Sequence, residues 1–286
     1  MRTTAARASA TLVDVDTVAE ILSWARRKRN EGVWIARIAQ KPAGGFRVIH
    51  APCPPLKELL KDLNRRHLAP LDTGRFAFCR KGAGVLKAVR LHRAHPALLH
   101  RDLRDFFPSI TQTMVCRTLV RRGFSHLTAT VLARLCTLHD ELVQGSPASV
   151  TLGNLVLARL DGRIGKLCEV NGLTYTRYVD DIAVSGGAAR LSTLGDRIDR
   201  IIDEEGWTCG AKGGLFAPGE YREYLGVDIG KRLRVGARAK SRALQAHDAL
   251  ESGLIDYAEF QVRTGWVRAV EGPTMPSVMD PKSTVM

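Results

Sequence analysis

Arg177-Tyr178-Val179-Asp180-Asp181 decides the reading of this chain. Two adjacent carboxylates stand between strand-like stretches at 173–178 and 182–185, so the pattern predicts a tight hairpin with aspartates crowded at its tip. Neighbouring like charges disfavour each other's ionisation unless a cation lies between them. A metal site is the economical explanation.

A third carboxylate of the same kind lies upstream. Ala97-Leu98-Leu99-His100-Arg101-Asp102 reads as a buried strand that runs into Leu103-Arg104-Asp105-Phe106-Phe107-Pro108-Ser109-Ile110. If that strand lies beside the hairpin, Asp102 joins Asp180 and Asp181 in an oxygen-rich pocket suited to hard divalent ions, with no His or Cys required. This is the inventory of a two-magnesium phosphoryl-transfer centre, whose ions sit about 3.5–4 Å apart.

The rest of the chain bounds the setting. With 286 residues, 45% of them hydrophobic, it can bury one large core or two modest ones, and disorder is not its default state. The formal charge of +14 is unevenly spread: residues 1–97 hold 19 Lys and Arg against 7 Asp and Glu, whereas 98–286 hold 24 against 22. A basic third next to a nearly neutral region with an acidic cluster suits a polyanion-gripping surface beside a metal site. A basic ribosomal or membrane-surface protein would leave the carboxylate trio unexplained. The six cysteines have no C-x-x-C pair and no zinc-spaced His, so they are expected to be reduced, buried small hydrophobes. No run of about 18 apolar residues is present, and residues 1–10 lack a secretory apolar stretch, so a cytoplasmic protein is expected.

Periodicity places the motifs on elements. A helical stripe runs over 14–30 and ends in Arg26-Arg27-Lys28-Arg29. Stretches 33–39 and 46–50 form a hairpin signal, and 54–68 returns to helix with Leu56, Leu59, Leu60, Leu63 and Leu68 inward. The fold of 76–95 is not specified by pattern. Two helices are expected over 110–122 and 125–138, then one long helix from Pro147 to about Glu169, the Asp-Asp hairpin, and a helix over 190–205. A short hairpin over 224–229 and 233–235 and a helical stretch over 238–271 follow, with a loose end from Gly272. The order describes an α+β fold, an antiparallel sheet covered on one side by helices, with its chemistry on the sheet.

Together these residues resemble the bacterial reverse transcriptases of the retron and group II intron type, the retron type above all. Four landmarks occur in the family's order: Gly44-Gly45-Phe46-Arg47-Val48-Ile49-His50-Ala51-Pro52, Asp102 to Ile110, Gln144-Gly145-Ser146-Pro147, and Tyr178-Val179-Asp180-Asp181. The resemblance spans residues 41–230. It implies a right-hand polymerase with basic fingers and an N-terminal helix over 1–97, a palm over 98–230 with fingers-associated helices at 110–140, and a short helical thumb with a loose tail over 231–286.

The resemblance also assigns roles. Asp102, Asp180 and Asp181 match the catalytic metal ligands, served by two Mg²⁺ ions with Mn²⁺ as a substitute. Arg47 matches the fork that clamps the incoming dNTP, assisted by Lys41. Phe107 matches the ring that collides with a ribose 2′-hydroxyl, whereas Phe106 faces the core; plain packing is the ordinary alternative for either. Gln144 matches a dNTP contact, and Gly145 and Pro147 match the loop where backbone approaches the template. A turn that merely starts the next helix is the competing account there. Tyr178 supports the primer end, Leu225-Gly226 matches the primer-grip turn, and 206–214 matches the loop whose lysine, Lys212, protonates departing pyrophosphate.

Four stretches depart from the pattern. Val179 stands for the alanine of bacterial relatives, Ala148-Ser149-Val150 lacks the second Ser-Pro that many carry, Gly210 stands for an asparagine, and Ala88-Val89-Arg90-Leu91-His92 for the Asn-Ala-x-x-His of retron members, keeping only the His. The implied activity is RNA-directed DNA synthesis on a structured RNA that serves as template and primer. In retrons it yields branched RNA–DNA and serves antiphage defence with a separate effector protein. Only 69 residues follow from Pro218 onward, so further catalytic domains are expected to come from other proteins. The alternatives are a non-retron bacterial or group II intron-derived reverse transcriptase and a non-catalytic RNA-binding protein of the same fold.

Overall fold

The computed structural model describes residues 23, 34–40, 46–93, 95–230, 232–252 and 254–271. The helix expected over 14–30 falls, except for residue 23, outside the described residues, as do Lys41 and everything from Gly272. In chain order the elements are β1 (Trp34–Gln40), β2 (Phe46–Pro52), α1 (Pro54–Leu63), α2 (Val85–His92), β3 (Ala97–Leu103), α3 (Gln112–Arg121) and α4 (His126–Cys136). Then come β4 (Thr137–Leu138), β5 (Glu141–Leu142), α5 (Ser149–Val156), α6 (Ala158–Val170), β6 (Thr174–Tyr178), β7 (Asp181–Gly186) and α7 (Ala188–Glu204). β8 (Cys209–Phe216), β9 (Glu223–Tyr224), β10 (Val227–Ile229), β11 (Leu233–Val235), α8 (Ala237–Glu251) and α9 (Tyr257–Glu271) complete the chain. It divides into two compact units, Met1–Arg75 with Asp105–Arg159, and Phe76–Arg104 with Leu160–Met286.

The first unit contains the β1–β2 hairpin, paired from Trp34↔Pro52 to Gln40↔Phe46. Proline at its first turn starts α1, and the i, i+3, i+4, i+7 spacing of Leu56, Leu59, Leu60 and Leu63 buries all four. A five-residue π-helical turn (Asn64–Leu68) then brings Leu68 inward as well. Side-chain caps start the next helices: Thr111 accepts from the Met114 amide at 3.2 Å and Ser125 from the Thr128 amide at 3.1 Å. The single helix expected from Pro147 to Glu169 is two, α5 and α6. The break falls at the fully buried Leu157, whose ψ of 0° leaves the helical well while the apolar stripe continues undisturbed.

The second unit is built on a four-stranded antiparallel sheet in the order β6-β7-β3-β8. Strand alternation divides its side chains. Ala97, Leu99, Leu103, Ile182, Val184 and Tyr175 share one face and are buried. On that side α7 offers its stripe of Leu191, Ile198, Ile201 and Ile202. The opposite face carries Leu98, Ala183 and Thr176. There Ala88 and Val89 of α2, Tyr224, the β9–β11 sheet and residues of α8 and α9 close a core.

The sequence pattern left 76–95 undefined, and the structure shows what it does. The Phe78 amide donates to the Arg177 carbonyl at 2.8 Å and the Arg177 amide to the Phe76 carbonyl at 2.8 Å, so this short parallel segment covers the edge of β6. Unpaired edge groups are thereby satisfied.

Candidate metal-binding site

Residues from β3, β7 and the intervening β6–β7 turn converge in the second unit. Asp102 and Asp181 are direct partners in the β3–β7 register. Tyr178 and Asp181 close the hairpin, so only Val179 and Asp180 form the turn itself; Asp181 is the first residue of β7 rather than a tip residue. The Leu103 amide donates to the Asp180 carbonyl at 3.0 Å, which ties the turn to β3 next to Asp102. All three carboxylates are half-buried.

The electrostatics record the crowding. Burial, then the neighbouring Asp181 charge and that of Asp102, push Asp180 up to about 6. Burial, then Asp181, also holds Asp102 above the ordinary carboxylate range. Lys212 opposes both shifts from its exposed position on β8. An all-oxygen donor set whose mutual repulsion Lys212 only partly offsets fits a hard divalent cation. The three aspartates are the residues that would hold it.

Val179 sits at φ +60°, a region a β-branched residue enters at a cost of order 1–3 kcal/mol. Positive φ at the first central position only is the signature of a type II′ turn, where glycine is usual. Something must hold this valine in place. Behind the sheet, Arg177 donates through NH1 to the Val179 carbonyl at 2.8 Å and is itself gripped by Asp161 of α6.

The other predicted residues are placed as follows. Tyr178 is half-buried, and burial together with a hydrogen bond to the Cys79 thiol pushes its phenol up to about 12. Leu225 and Gly226, at φ +54° and +75°, form the two-residue turn between β9 and β10. The stretch 206–214, expected as a loop, is a correction: from Cys209 it is strand β8 paired with β3. Its glycines allow the pairing, since a side chain at Gly213 would strike the His100 carbonyl. At Gly210 a Cβ would stand 2.7 Å from Asp102 Oδ2.

Arg47, Phe107, Gln144, Gly145 and Pro147 belong to the first unit. The Arg47 backbone lies in β2, and its side chain is outside the described residues. Phe106 is buried against Gly153, where a Cβ would meet its ring at 2.9 Å, while Phe107 is half-buried. Gln144 and Pro147 are half-buried in the turn before α5. Gly145, at φ +103°, has Ile49 Cγ2 2.9 Å from where its Cβ would be, so packing on β2 already accounts for the missing side chain.

Sequence reasoning missed His100. It precedes Asp102 by two residues and therefore shares its face, and its Nε2 lies 2.9 Å from Asp181 Oδ1. That period-two spacing was the available signal. A buried polar network continues from there. His100 packs edge-on to Tyr224, the Tyr224 hydroxyl meets Thr176 Oγ1 at 3.2 Å, and His92 bridges Thr176 Oγ1 at 2.7 Å and Ser185 Oγ at 2.6 Å. His92 thus ties β6 to β7. Burial, then the nearby His95, lowers it to about 3, so the ring is neutral and can donate through one nitrogen while accepting through the other.

A sheet of this order, flanked by helices, is a fold found in solved structures. Solved telomerases share it at low sequence identity. The Candida albicans enzyme in complex with a fragment of telomeric RNA matches with a TM-score of 0.54 at 10% identity, over 88% of this chain and 58% of that one. Apo telomerase from Candida tropicalis matches with a TM-score of 0.53 at 12% identity, over 87% and 57%.

In sequence the chain is similar to retron reverse transcriptases. It is 30% identical over 257 residues to the retron Mx65 reverse transcriptase of Myxococcus xanthus, covering 77% of this chain and 59% of the relative. It is 31% identical over 208 residues to the retron Ec86 reverse transcriptase of Escherichia coli, covering 72% and 65%. The chain therefore spans about three fifths of the length of these relatives. No protein-family model matches it. Among the described residues no helix is long and apolar enough to cross a membrane.

Proposed function

We propose that the chain is an RNA-directed DNA polymerase of the retron type, extending a primer hydroxyl along a structured RNA and releasing pyrophosphate. One observation carries the reading: Asp102 faces Asp181 across β3 and β7 with Asp180 in the adjoining turn, a crowding of carboxylates that a bound divalent cation would relieve. When bound there, two Mg²⁺ ions, or Mn²⁺ in their place, would activate the attacking hydroxyl and stabilise the leaving pyrophosphate.

The chain's own residues supply position. Asp102, Asp180 and Asp181 hold charge and geometry, and the Leu103 amide fixes the turn. Lys212 adds positive charge near the carboxylates, as a general acid toward pyrophosphate requires. Arg47 and Lys41 clamp the triphosphate of the incoming dNTP, with Gln144 contributing a contact. Phe107 excludes the 2′-hydroxyl, Gly145 and Pro147 line the template, and Tyr178, Leu225 and Gly226 support the primer. On this reading 1–97 serves as fingers, 98–230 as palm and 231–286 as thumb. A dedicated noncoding RNA is the template and primer, and antiphage defence with a separate effector protein is the cellular role.

Primer extension with an RNA template, dNTPs and Mg²⁺ tests the reading. The parent should synthesise DNA, and Asp180→Ala should lower the rate by roughly a thousandfold or more while folding normally. Equal activity in both would overturn it.

A further inference from the structure

The turn that carries Asp180 is fixed at two successive peptide planes. The Asp180 carbonyl, part of the 180–181 plane, accepts from the Leu103 amide at 3.0 Å. The Val179 carbonyl, part of the 179–180 plane, accepts from Arg177 NH1 at 2.8 Å. With both planes held, the Asp180 Cα and the direction of its Cα–Cβ bond are restrained. The first restraint is ordinary strand geometry. The second comes from a side chain on the opposite face of the sheet.

That side chain has little freedom of its own. Arg177 is fully buried, donating through Nε to Asp161 Oδ1 at 2.8 Å and through NH2 to Asp161 Oδ2 at 2.7 Å. The Tyr175 hydroxyl donates to the same Asp161 Oδ1 at 2.6 Å and locks the carboxylate in turn. Burial works against the guanidinium charge, and Asp161 more than offsets it. Each guanidinium nitrogen is thus committed, two to Asp161 and one to the turn. A lysine could satisfy Asp161 but could not span both at once.

Stability alone is a weak reason to keep such a pair, since apolar residues of similar volume replace buried ion pairs at little or no cost. Placement at the strained Val179 gives a better one. We propose that Arg177, held by Asp161, is a positioning residue of the polymerase centre: it keeps Val179 at positive φ and thereby aims the Asp180 carboxylate. The inference rests on the polymerase reading above and adds to it two residues that touch neither substrate nor metal.

The test compares the full-length parent with Asp161→Leu/Arg177→Met and with Arg177→Lys. Each is measured by thermal unfolding, by kcat and KM for dNTP in primer extension, and by Mn²⁺ affinity from electron paramagnetic resonance. The double variant should unfold within a few degrees of the parent, with kcat reduced about ten- to a hundredfold, KM for dNTP little changed and Mn²⁺ bound several-fold more weakly. Arg177→Lys, which retains a partner for Asp161, should fold and show a smaller loss of the same kind. A folded double variant with parental kcat and Mn²⁺ affinity overturns the proposal; should the double variant fail to fold, parental kcat in Arg177→Lys does so. If the parent binds Mn²⁺ but makes no DNA, weaker Mn²⁺ binding in the variants upholds the positioning role while the polymerase reading fails. A parent that neither binds Mn²⁺ nor extends a primer overturns both.

Discussion

The two faces of the β6-β7-β3-β8 sheet achieve order by opposite means. The face with Asp102 and Asp181 gathers like charges, half-exposed, beside a polar network in which His100 packs edge-on to Tyr224 and hydrogen bonds run on through Thr176 to His92. The face behind is largely apolar but carries two arginines, each answered bidentately by a helix: Arg177 by Asp161 of α6, which also accepts from Tyr175, and Arg101 by Asp199 of α7 at 2.7 and 2.9 Å. Arg101 lies one residue from Asp102 and Arg177 three from Asp180. The difference teaches that the front gathers charge at a cost in stability, while the rear ties down backbone.

The largest effect that would break the comparison is at Asp180. Asp180→Asn should cost roughly a thousandfold or more in synthesis, yet stabilise the metal-free protein at pH 8 by on the order of 1–3 kcal/mol. The sign follows from the raised pKa. Protonated Asp180 favours the fold below its ordinary value of 3.8, and this contribution is lost as pH rises through about 6. The asparagine mimics the protonated form, so its advantage appears above pH 6 and vanishes near pH 4. Thermal unfolding in chelator across that range checks it.

His92 makes the opposite prediction. Its pKa falls to about 3 from 6.5, so its contribution is complete above pH 6.5 and is lost as pH falls below it. Between pH 7 and 5 the parent should lose about 2 kcal/mol more than His92→Gln, read from urea unfolding at each pH. A smaller effect is expected at Gly210→Ala. Its new methyl meets the free end of Asp102, which can swing away, so the unfolding temperature should hold within a few degrees while kcat falls about tenfold. Smallest is Arg101→Gln, because its pair with Asp199 is partly exposed. Unfolding measurements should show a loss below about 1 kcal/mol.

Much of this was legible in the residues. Alternation and turn chemistry located β3, β6 and β7 and hence the three aspartates, and the Leu56-to-Leu68 stripe is buried as its spacing predicts. What escaped depended on tertiary partners. Cys209-Gly210-Ala211-Lys212-Gly213-Gly214 looks like a loop until β3 is there to require bare backbone. Helix α2 is only eight residues long and opens after the glycine pair Gly82 and Gly84, too short for a stripe to register. Arg177 reads as an ordinary basic strand residue, because its partner Asp161 lies 16 positions away on a helix.

The place of β3 in the middle of its sheet also governs when the protein can acquire its centre. Asp102 is joined to Asp181, 79 residues later, and Leu98 to Phe216, 118 residues later, so neither flank of the central strand can form from a short nascent chain. Such distant pairing gives a high contact order, and loop closure rather than local propensity sets its rate. During synthesis β3 must wait until the ribosome has passed residue 186 before β7 can pair with it, and residue 216 before β8 closes its other side; assembly of the carboxylate trio is thus a late, topology-limited event.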